Sequence, residues 1–131
     1  VDLVLNARAD IYLEEIGEPS TRAERTIERL NAYRDAGAAC LFAPGVYDAA
    51  TIEQLVRGVR GPLNILGRAG TPPVGELEKL GVARVSVGGG PMRVTMTVVS
   101  RIAKQLRDQG DFSLFAEAMP FPEANRLMSK R

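Results

Sequence analysis

The chain has 131 residues, of which 45% are hydrophobic and 25% charged, so it is long enough and apolar enough to bury one globular core. Seventeen basic and sixteen acidic residues leave a net charge of +1, which gives no field of one sign to attract nucleic acid or a membrane surface. The absence of histidine and the single cysteine exclude an imidazole base, a histidine zinc site and an internal disulfide within this sequence. No apolar run approaches the roughly 18 residues of a membrane span, and the sequence predicts a soluble cytoplasmic protein.

Short apolar runs alternate with helical patterns four times along the chain. The runs cover residues 1–7, 39–43, 63–66 and 84–87, and each predicts a buried strand. Because a helical pattern follows each run, the units predict right-handed crossovers and one parallel sheet of α/β type. The pattern fits a doubly wound open sheet or half of an eight-stranded (β/α)8 barrel, and the short strands with helices directly after them favour the barrel.

Local signals mark where the helices begin and end. Thr21 and Glu24 have the spacing of a capping box, and Asp48 predicts the N-cap of the second helix. The fourth helix is expected to end at Gly110. The sequence therefore predicts two parts, four βα units over residues 1–110 and a C-terminal helical arm over residues 111–131.

Polar side chains lie where predicted strands end, and binding sites of parallel α/β folds gather at the carboxyl ends of strands. Arg8 follows the first strand, where its guanidinium would either hold a carboxylate or phosphonate by a bidentate fork or pair with Asp10. Asn64 lies within an apolar strand, where its amide would either contact a substrate or satisfy loop backbone.

The fourth strand and the turn after it carry further candidates. Arg84 and Ser86 alternate along the strand and so share one side, and an inward Arg84 needs a carboxylate partner, for which Asp10 is a candidate. Gly88 opens three consecutive glycines before a helix, a pattern typical of an anion cradle or of a simple tight turn. Cys40 lies in an apolar run, which predicts a buried structural thiol rather than a nucleophile.

Four segments resemble the motifs of one enzyme superfamily. Residues 5–10, LNARAD, are similar to a NARTDA strand with Ala9 in place of the usual threonine, and residues 27–38 look like an AIERAKAYREAGAD helix and turn. Residues 61–64 resemble PVN, and residues 80–88 read LGVARVSVG, as the superfamily does. On these motifs the chain resembles the C-terminal half of the phosphoenolpyruvate mutase and isocitrate lyase superfamily, whose fold is a TIM (β/α)8 barrel.

The resemblance implies a lyase or mutase that makes or breaks a C–C or C–P bond in small 2-oxo or 2-hydroxy carboxylates, through an enolate stabilised by Mg²⁺. It gives Arg8 the role of ligand to the substrate carboxylate and Asn64 the role of a polar contact to the substrate. It assigns no catalytic residue and no metal ligand within this chain. The supporting residues are Asp10, Arg84, Ser86 and Gly88.

Two departures from the superfamily's pattern limit what the chain is expected to do alone. Pro44 and Gly45 stand where lyases for isocitrate-type substrates carry a glutamate, which is more like the mutase and decarboxylase branches. The first four strands of the barrel have no counterpart here, and the resemblance places the magnesium ligands and the gating loop on them. We therefore expect Mg²⁺ in the complete enzyme, none held by this chain alone, and no activity of the chain by itself.

A half-barrel leaves its first and last strands unpaired, and such edges are templates for association. The sequence predicts that the chain forms a homo-oligomer or joins a missing N-terminal half, rather than existing as a monomer. Whether it is part of an enzyme stays open at this point. The alternatives are a non-catalytic half-barrel module that self-associates or completes a barrel with a partner, and an open-sheet domain that binds a small molecule.

Overall fold

The computed structural model describes residues 3–129. Contacts divide the chain into two compact units, residues 1–90 and residues 91–131. The first unit is a parallel sheet with strands in the order β1-β2-β3-β4, without any reversal, which confirms the sequence prediction of consecutive parallel βα units. The strands are β1 (Asn6–Arg8), β2 (Cys40–Ala43), β3 (Leu63–Leu66) and β4 (Arg84–Ser86).

The first strand is shorter than predicted. The apolar run at 1–7 predicts a strand over its whole length, but β1 begins at Asn6, and Leu3 to Leu5 are irregular and exposed. Because β2 begins opposite Asn6, at Cys40, Leu3 and Val4 have no strand of the described chain beside them to pair with. Only the Leu5 carbonyl reaches that strand, where it accepts hydrogen bonds from the N–H groups of Ala39 and Cys40. Residues 1 and 2 lie outside the described residues.

Three helices pack side by side, α1 against α2 and α2 against α3. Their apolar side chains share one core with the strands, so they lie on the same face of the sheet. They are α1 (Arg22–Asp35), α2 (Ala49–Gly58) and α3 (Val74–Leu80). Alternate strand residues point at this helical layer and form the core with it. The largest apolar side chains buried there are Leu30, Leu41, Ile52, Leu55, Leu63, Ile65 and Leu77.

The helix starts agree with the sequence in one case and not in another. The Asp48 carboxylate accepts a hydrogen bond from the Thr51 N–H at 2.8 Å, which confirms the predicted N-cap of α2. The predicted capping box of Thr21 and Glu24 is wrong. A 3₁₀ turn precedes α1 and leaves Thr21 in a helical rather than an extended conformation, so its hydroxyl donates to the Glu18 carbonyl instead.

The second unit consists of the rest of α4 (Gly90–Gln109), a 3₁₀ turn (Ser113–Glu117) and α5 (Phe121–Ser129). Gly110, at φ 62°, follows the last residue of α4 as predicted. The contacts divide the chain after Gly90. The separate arm that the sequence predicts from residue 111 stays a prediction. Within residues 3–129 no helix is long and apolar enough to cross a bilayer.

Candidate functional site

Strand pairing aligns three of the predicted site residues in one row across the sheet. Arg8 pairs with Phe42, Phe42 with Asn64, and Asn64 with Arg84. Residues opposite one another on adjacent parallel strands share a face of the sheet, and this row alternates with core residues such as Leu41. The structure therefore brings Arg8, Asn64 and Arg84 onto the face that points away from the helices.

Asn64, which is buried, and Ser86, which is half-buried, form a polar pair on that face. The Asn64 side chain has no exposed surface, and its Nδ2 donates to the Ser86 Oγ at 3.0 Å. The Ser86 hydroxyl lies 3.2 Å from Asn64 Oδ1 and is placed to donate to it. The amide is thus satisfied by a neighbouring strand and not by loop backbone, the alternative that the sequence left open.

Arg8 pairs with Asp10 across the carboxyl end of β1. Its Nη2 donates to Asp10 Oδ2 at 3.1 Å, and its Nε lies 2.8 Å from Oδ1, an ionic contact without hydrogen-bond alignment. The two side chains are 54% and 33% exposed, so the pair contributes at most about 1 kcal/mol. A ligand carboxylate can therefore compete with Asp10 for the guanidinium.

Asp10 was a candidate partner for Arg84 as well as for Arg8. In the structure Asp10 pairs with Arg8, which lies two residues before it at the end of the same strand. Arg84 is exposed, and within residues 3–129 it takes part in no ion pair. The supporting role expected of Arg84 stays a prediction.

The glycines after β4 form a turn at the same edge of the sheet. Gly88 has φ 49°, and a β-carbon there would lie 3.1 Å from the Leu66 side chain, which explains why glycine stands at this position. The Gly90 N–H donates to the Val87 carbonyl at 3.0 Å. That bond closes a tight turn, so the Gly90 N–H is already engaged and cannot bind an anion. The anion cradle at the three glycines stays a prediction.

Three aromatic and basic residues at this edge were missed by the sequence reasoning. The Arg68 guanidinium carbon lies 4.5 Å from the centre of the Tyr47 ring, and these residues come from the loops after β3 and β2. Tyr12 lies in the loop after β1, and its burial raises the pKa of the phenol, with a further rise from the charge of Asp48. Each follows a strand closely, so the same placement rule that selected Arg8 would have found them.

Cys40 lies near the opposite end of the sheet from these loops. It is a free thiol with 6% of its surface exposed, which confirms the predicted buried cysteine. It borders a cavity of about 470 Å³ at the amino-terminal ends of β2, β3 and β4. The cavity is lined by Val4, Ala39, Cys40, Pro62, Ala83 and Arg84.

The described residues contain no cluster of metal-ligating side chains. Within residues 3–129 no three His, Cys, Asp or Glu side chains come close enough to hold a metal ion together. Asp10, the carboxylate that follows β1, is engaged by Arg8.

A family model described as phosphoenolpyruvate phosphomutase matches residues 1–107. The chain belongs to this family. Two uncharacterized proteins from two strains of Mycobacterium tuberculosis are each 33% identical to the mutase-family chain over 107 residues, which is 82% of this chain and 40% of the relative.

Solved structures share the fold of this chain. A candidate lyase/mutase from Burkholderia cenocepacia J2315 is 38% identical with a TM-score of 0.87, covering 97% of this chain and 45% of that one. A candidate phosphonomutase from the same organism is 35% identical with a TM-score of 0.67, over 76% of this chain and 41% of that one. The 2,3-dimethylmalate lyase of the PEP mutase/isocitrate lyase superfamily has a TM-score of 0.69 over 96% of this chain and 44% of that one, and at 24% identity it shows likeness of fold alone.

These matches confirm the resemblance seen in the motifs and the half-barrel architecture. The mutase-family chain spans less than half the length of each of these relatives. Its four βα units correspond to part of a barrel, as the motifs indicate.

Proposed function

We propose that this chain is the carboxylate-binding part of a lyase or mutase that makes or breaks a C–C or C–P bond in small 2-oxo or 2-hydroxy carboxylates through an enolate. The observation that carries the proposal is the row of Arg8 and Asn64 on the sheet face away from the helices. The names of the Burkholderia structures, a candidate lyase/mutase and a candidate phosphonomutase, support this reaction class. Because the chain spans under half of those proteins, we propose that it is inactive alone.

Arg8 is the primary contact in this proposal. Its planar guanidinium matches the two oxygens of a carboxylate, and the exposed pair with Asp10 is weak enough to be exchanged for a ligand. Asn64 is secondary, because a ligand reaches its fully buried amide only after the groups that cover it move. Ser86 fixes the orientation of that amide through its hydroxyl.

Part of the proposed reaction depends on groups that this chain does not supply. We propose that the Mg²⁺ of the complete enzyme is held by residues outside the chain, since no three metal-ligating side chains come together among the described residues. The partner is then the remainder of a barrel, and the ligand is a small carboxylate. The location is proposed to be cytoplasmic.

The role of Arg8 is tested in a full-length family enzyme of known substrate that carries arginine at the corresponding position. Changing that arginine to lysine should raise KM about tenfold or more, because a compact ammonium cannot replace a two-point contact worth roughly 1.5–3 kcal/mol. An exposed arginine on the outer face of a helix, matching Arg57 here, is the control. An unchanged KM in the first variant would reject the assignment.

A second candidate is a non-catalytic module that self-associates. The observation in its favour is that β1 and β4 are each paired on one side only, so both edges of the sheet are open in the described structure. The module would be a dimer that shows no response of Arg8 to carboxylates, whereas the enzyme fragment would show that response in any oligomeric state.

A further inference from the structure

Asp10 projects from a backbone that is fixed on both sides. Its neighbours Ala9 and Ile11 are only 1% and 3% exposed, so both are packed within the first unit. The Ala9 N–H donates to the Phe42 carbonyl of β2, and the Glu14 N–H donates to the Asp10 carbonyl, both at 2.9 Å. The Asp10 carboxylate therefore stands at a defined place just after the end of β1.

The loop that follows Asp10 is held by hydrogen bonds from the first turn of α1. The donors are the guanidinium groups of Arg22 and Arg25. Three consecutive loop carbonyls accept these bonds at 3.0 to 3.3 Å, those of Glu15, Ile16 and Gly17. Because the loop is fixed in this way, the Asp10 carboxylate keeps its place when the longer Arg8 side chain turns to another partner.

Asp10 covers one of the two binding edges of the Arg8 guanidinium. Its oxygens lie 2.8 Å from Nε and 3.1 Å from Nη2, and these two nitrogens form one two-point edge for a carboxylate. A ligand that binds this edge has to displace Asp10. A ligand that binds the edge of Nη1 and Nη2 instead lies beside Asp10, and two carboxylates at one guanidinium repel each other. On either edge Asp10 opposes the binding of a second carboxylate.

The Asp10 carboxylate depends on Arg8 for its charge partner. Over residues 3–129 it pairs with no other basic side chain, and its Oδ1 is shielded from solvent without a hydrogen bond. When a ligand takes Arg8, the cost of leaving this carboxylate unpaired is subtracted from the free energy of binding. The side chains of Arg8 and Asp10 are 54% and 33% exposed, so solvent limits that cost to a factor of at most about five in affinity.

We infer that Asp10 is an internal competitor for Arg8, which occupies the guanidinium while the site is empty and lowers the affinity of the site for ligand carboxylates. The inference rests on the proposed function, in which Arg8 binds the carboxylate of the ligand. Binding is then an exchange of one carboxylate for another, in which Arg8 turns and Asp10 keeps its place.

The test is an NMR titration of the 131-residue chain with pyruvate at a constant ionic strength of about 0.15 M, which screens charges that do not touch Arg8. The Arg8 Nε–H and the Asp10 carboxyl carbon are followed together. Both resonances should shift with the same midpoint, because the ligand releases Asp10 from Arg8. A shift of Arg8 without any shift of Asp10 would show that the ligand does not meet Asp10, and the inference would be wrong. This measurement needs no variant.

Variants measure the size of the competition. Asp10→Asn removes the charge and keeps the size of the side chain, so it should bind pyruvate about two- to fivefold more tightly than the wild type. Glu14→Gln is the control, since it removes the same charge from the same loop. The Glu14 side chain is exposed and makes no ion pair within residues 3–129, so this variant should keep the wild-type affinity. Amide spectra confirm that each variant is folded.

Equal or weaker binding of pyruvate by Asp10→Asn would overturn the inference, because Asp10 would then orient Arg8 rather than compete for it. An equal gain in Glu14→Gln would also overturn it, since the effect would be one of general charge. Failure of the proposed function looks different. Wild-type affinity in Arg8→Gln rejects Arg8 as the carboxylate ligand, whereas lost binding in Arg8→Gln without a gain in Asp10→Asn rejects the internal competitor alone.

Discussion

The polar pair of Asn64 and Ser86 offers a quantitative test of how the sheet face away from the helices is built. Asn64 is fully buried, and both ends of its amide meet one hydroxyl, at 3.0 and 3.2 Å. Ser86→Ala removes that hydroxyl and leaves a buried amide without partners. An unsatisfied buried polar group costs about 1–3 kcal/mol, so the variant should lose that much free energy of unfolding.

The double variant supplies the control within the same site. Asn64→Leu combined with Ser86→Ala removes both polar partners and keeps a side chain of similar size, which is close to neutral when the shapes match. We expect it to unfold within about 1 kcal/mol of the wild type, and so to be more stable than Ser86→Ala alone. Ser100→Ala, an exposed position on α4, should change stability by less than about 0.5 kcal/mol.

The assay is urea unfolding followed by circular dichroism at one fixed protein concentration, because association would make the midpoint depend on concentration. A loss below about 0.5 kcal/mol in Ser86→Ala would show that the amide is satisfied by other groups, and the buried-pair account would be wrong. A double variant that is no more stable than Ser86→Ala alone would equally refute it.

Three further predictions concern the scaffold and a fourth concerns association. Asp48→Ala should lower the free energy of unfolding by about 1 kcal/mol through loss of the N-cap of α2, and no change in urea unfolding would contradict this. Gly45→Ala should lower the free energy of unfolding by at least about 1–3 kcal/mol, since Gly45 has φ 93° and a β-carbon there would lie 2.7 Å from the backbone nitrogen of Leu13. A folded variant with the melting temperature of the wild type would contradict this. The pKa of Tyr12 is raised above 10.0 in the fold, mainly by burial, so the folded state holds the phenol proton more tightly than the unfolded state does. The resulting contribution to the free energy of unfolding is present below pH 10.0 and is lost as pH rises through the folded pKa. Tyr12→Phe should weaken that alkaline loss, and an unchanged pH profile of the melting temperature would refute the assignment. Sedimentation of the purified chain should show a dimer or larger species, and a compact monomer that unfolds cooperatively at micromolar concentration would contradict the expectation from its two open sheet edges.

Much of the fold could be predicted because hydrophobic periodicity and capping residues act locally. The apolar runs located β2, β3 and β4 to within a residue, and Asp48 marked the start of α2. The first strand was placed too early, since an apolar run does not show where a neighbouring strand begins. The capping box at Thr21 failed because a preceding 3₁₀ turn changed the backbone at that residue.

The candidate site was predictable only in part. The strand-end rule selected Arg8, Asn64 and Ser86, and motif resemblance added roles for Arg8 and Asn64. Spacing along the chain could not show whether Asp10 pairs with Arg8 or with Arg84, because the choice depends on side-chain geometry. The stack of Arg68 on Tyr47 joins two loops that are distant in sequence, and no local pattern reports such a meeting.

The most direct test of the central claim is a titration of the chain with pyruvate, a monocarboxylate of the 2-oxo class, followed by NMR at the Arg8 Nε–H. The account predicts a saturable shift of that resonance in the wild type and binding weakened about tenfold in Arg8→Lys, because lysine cannot form the two-point contact. Arg57→Lys, an exposed control on α2, should bind as the wild type does. Equal pyruvate affinity in Arg8→Lys and the wild type would contradict the assignment of Arg8 as the carboxylate ligand.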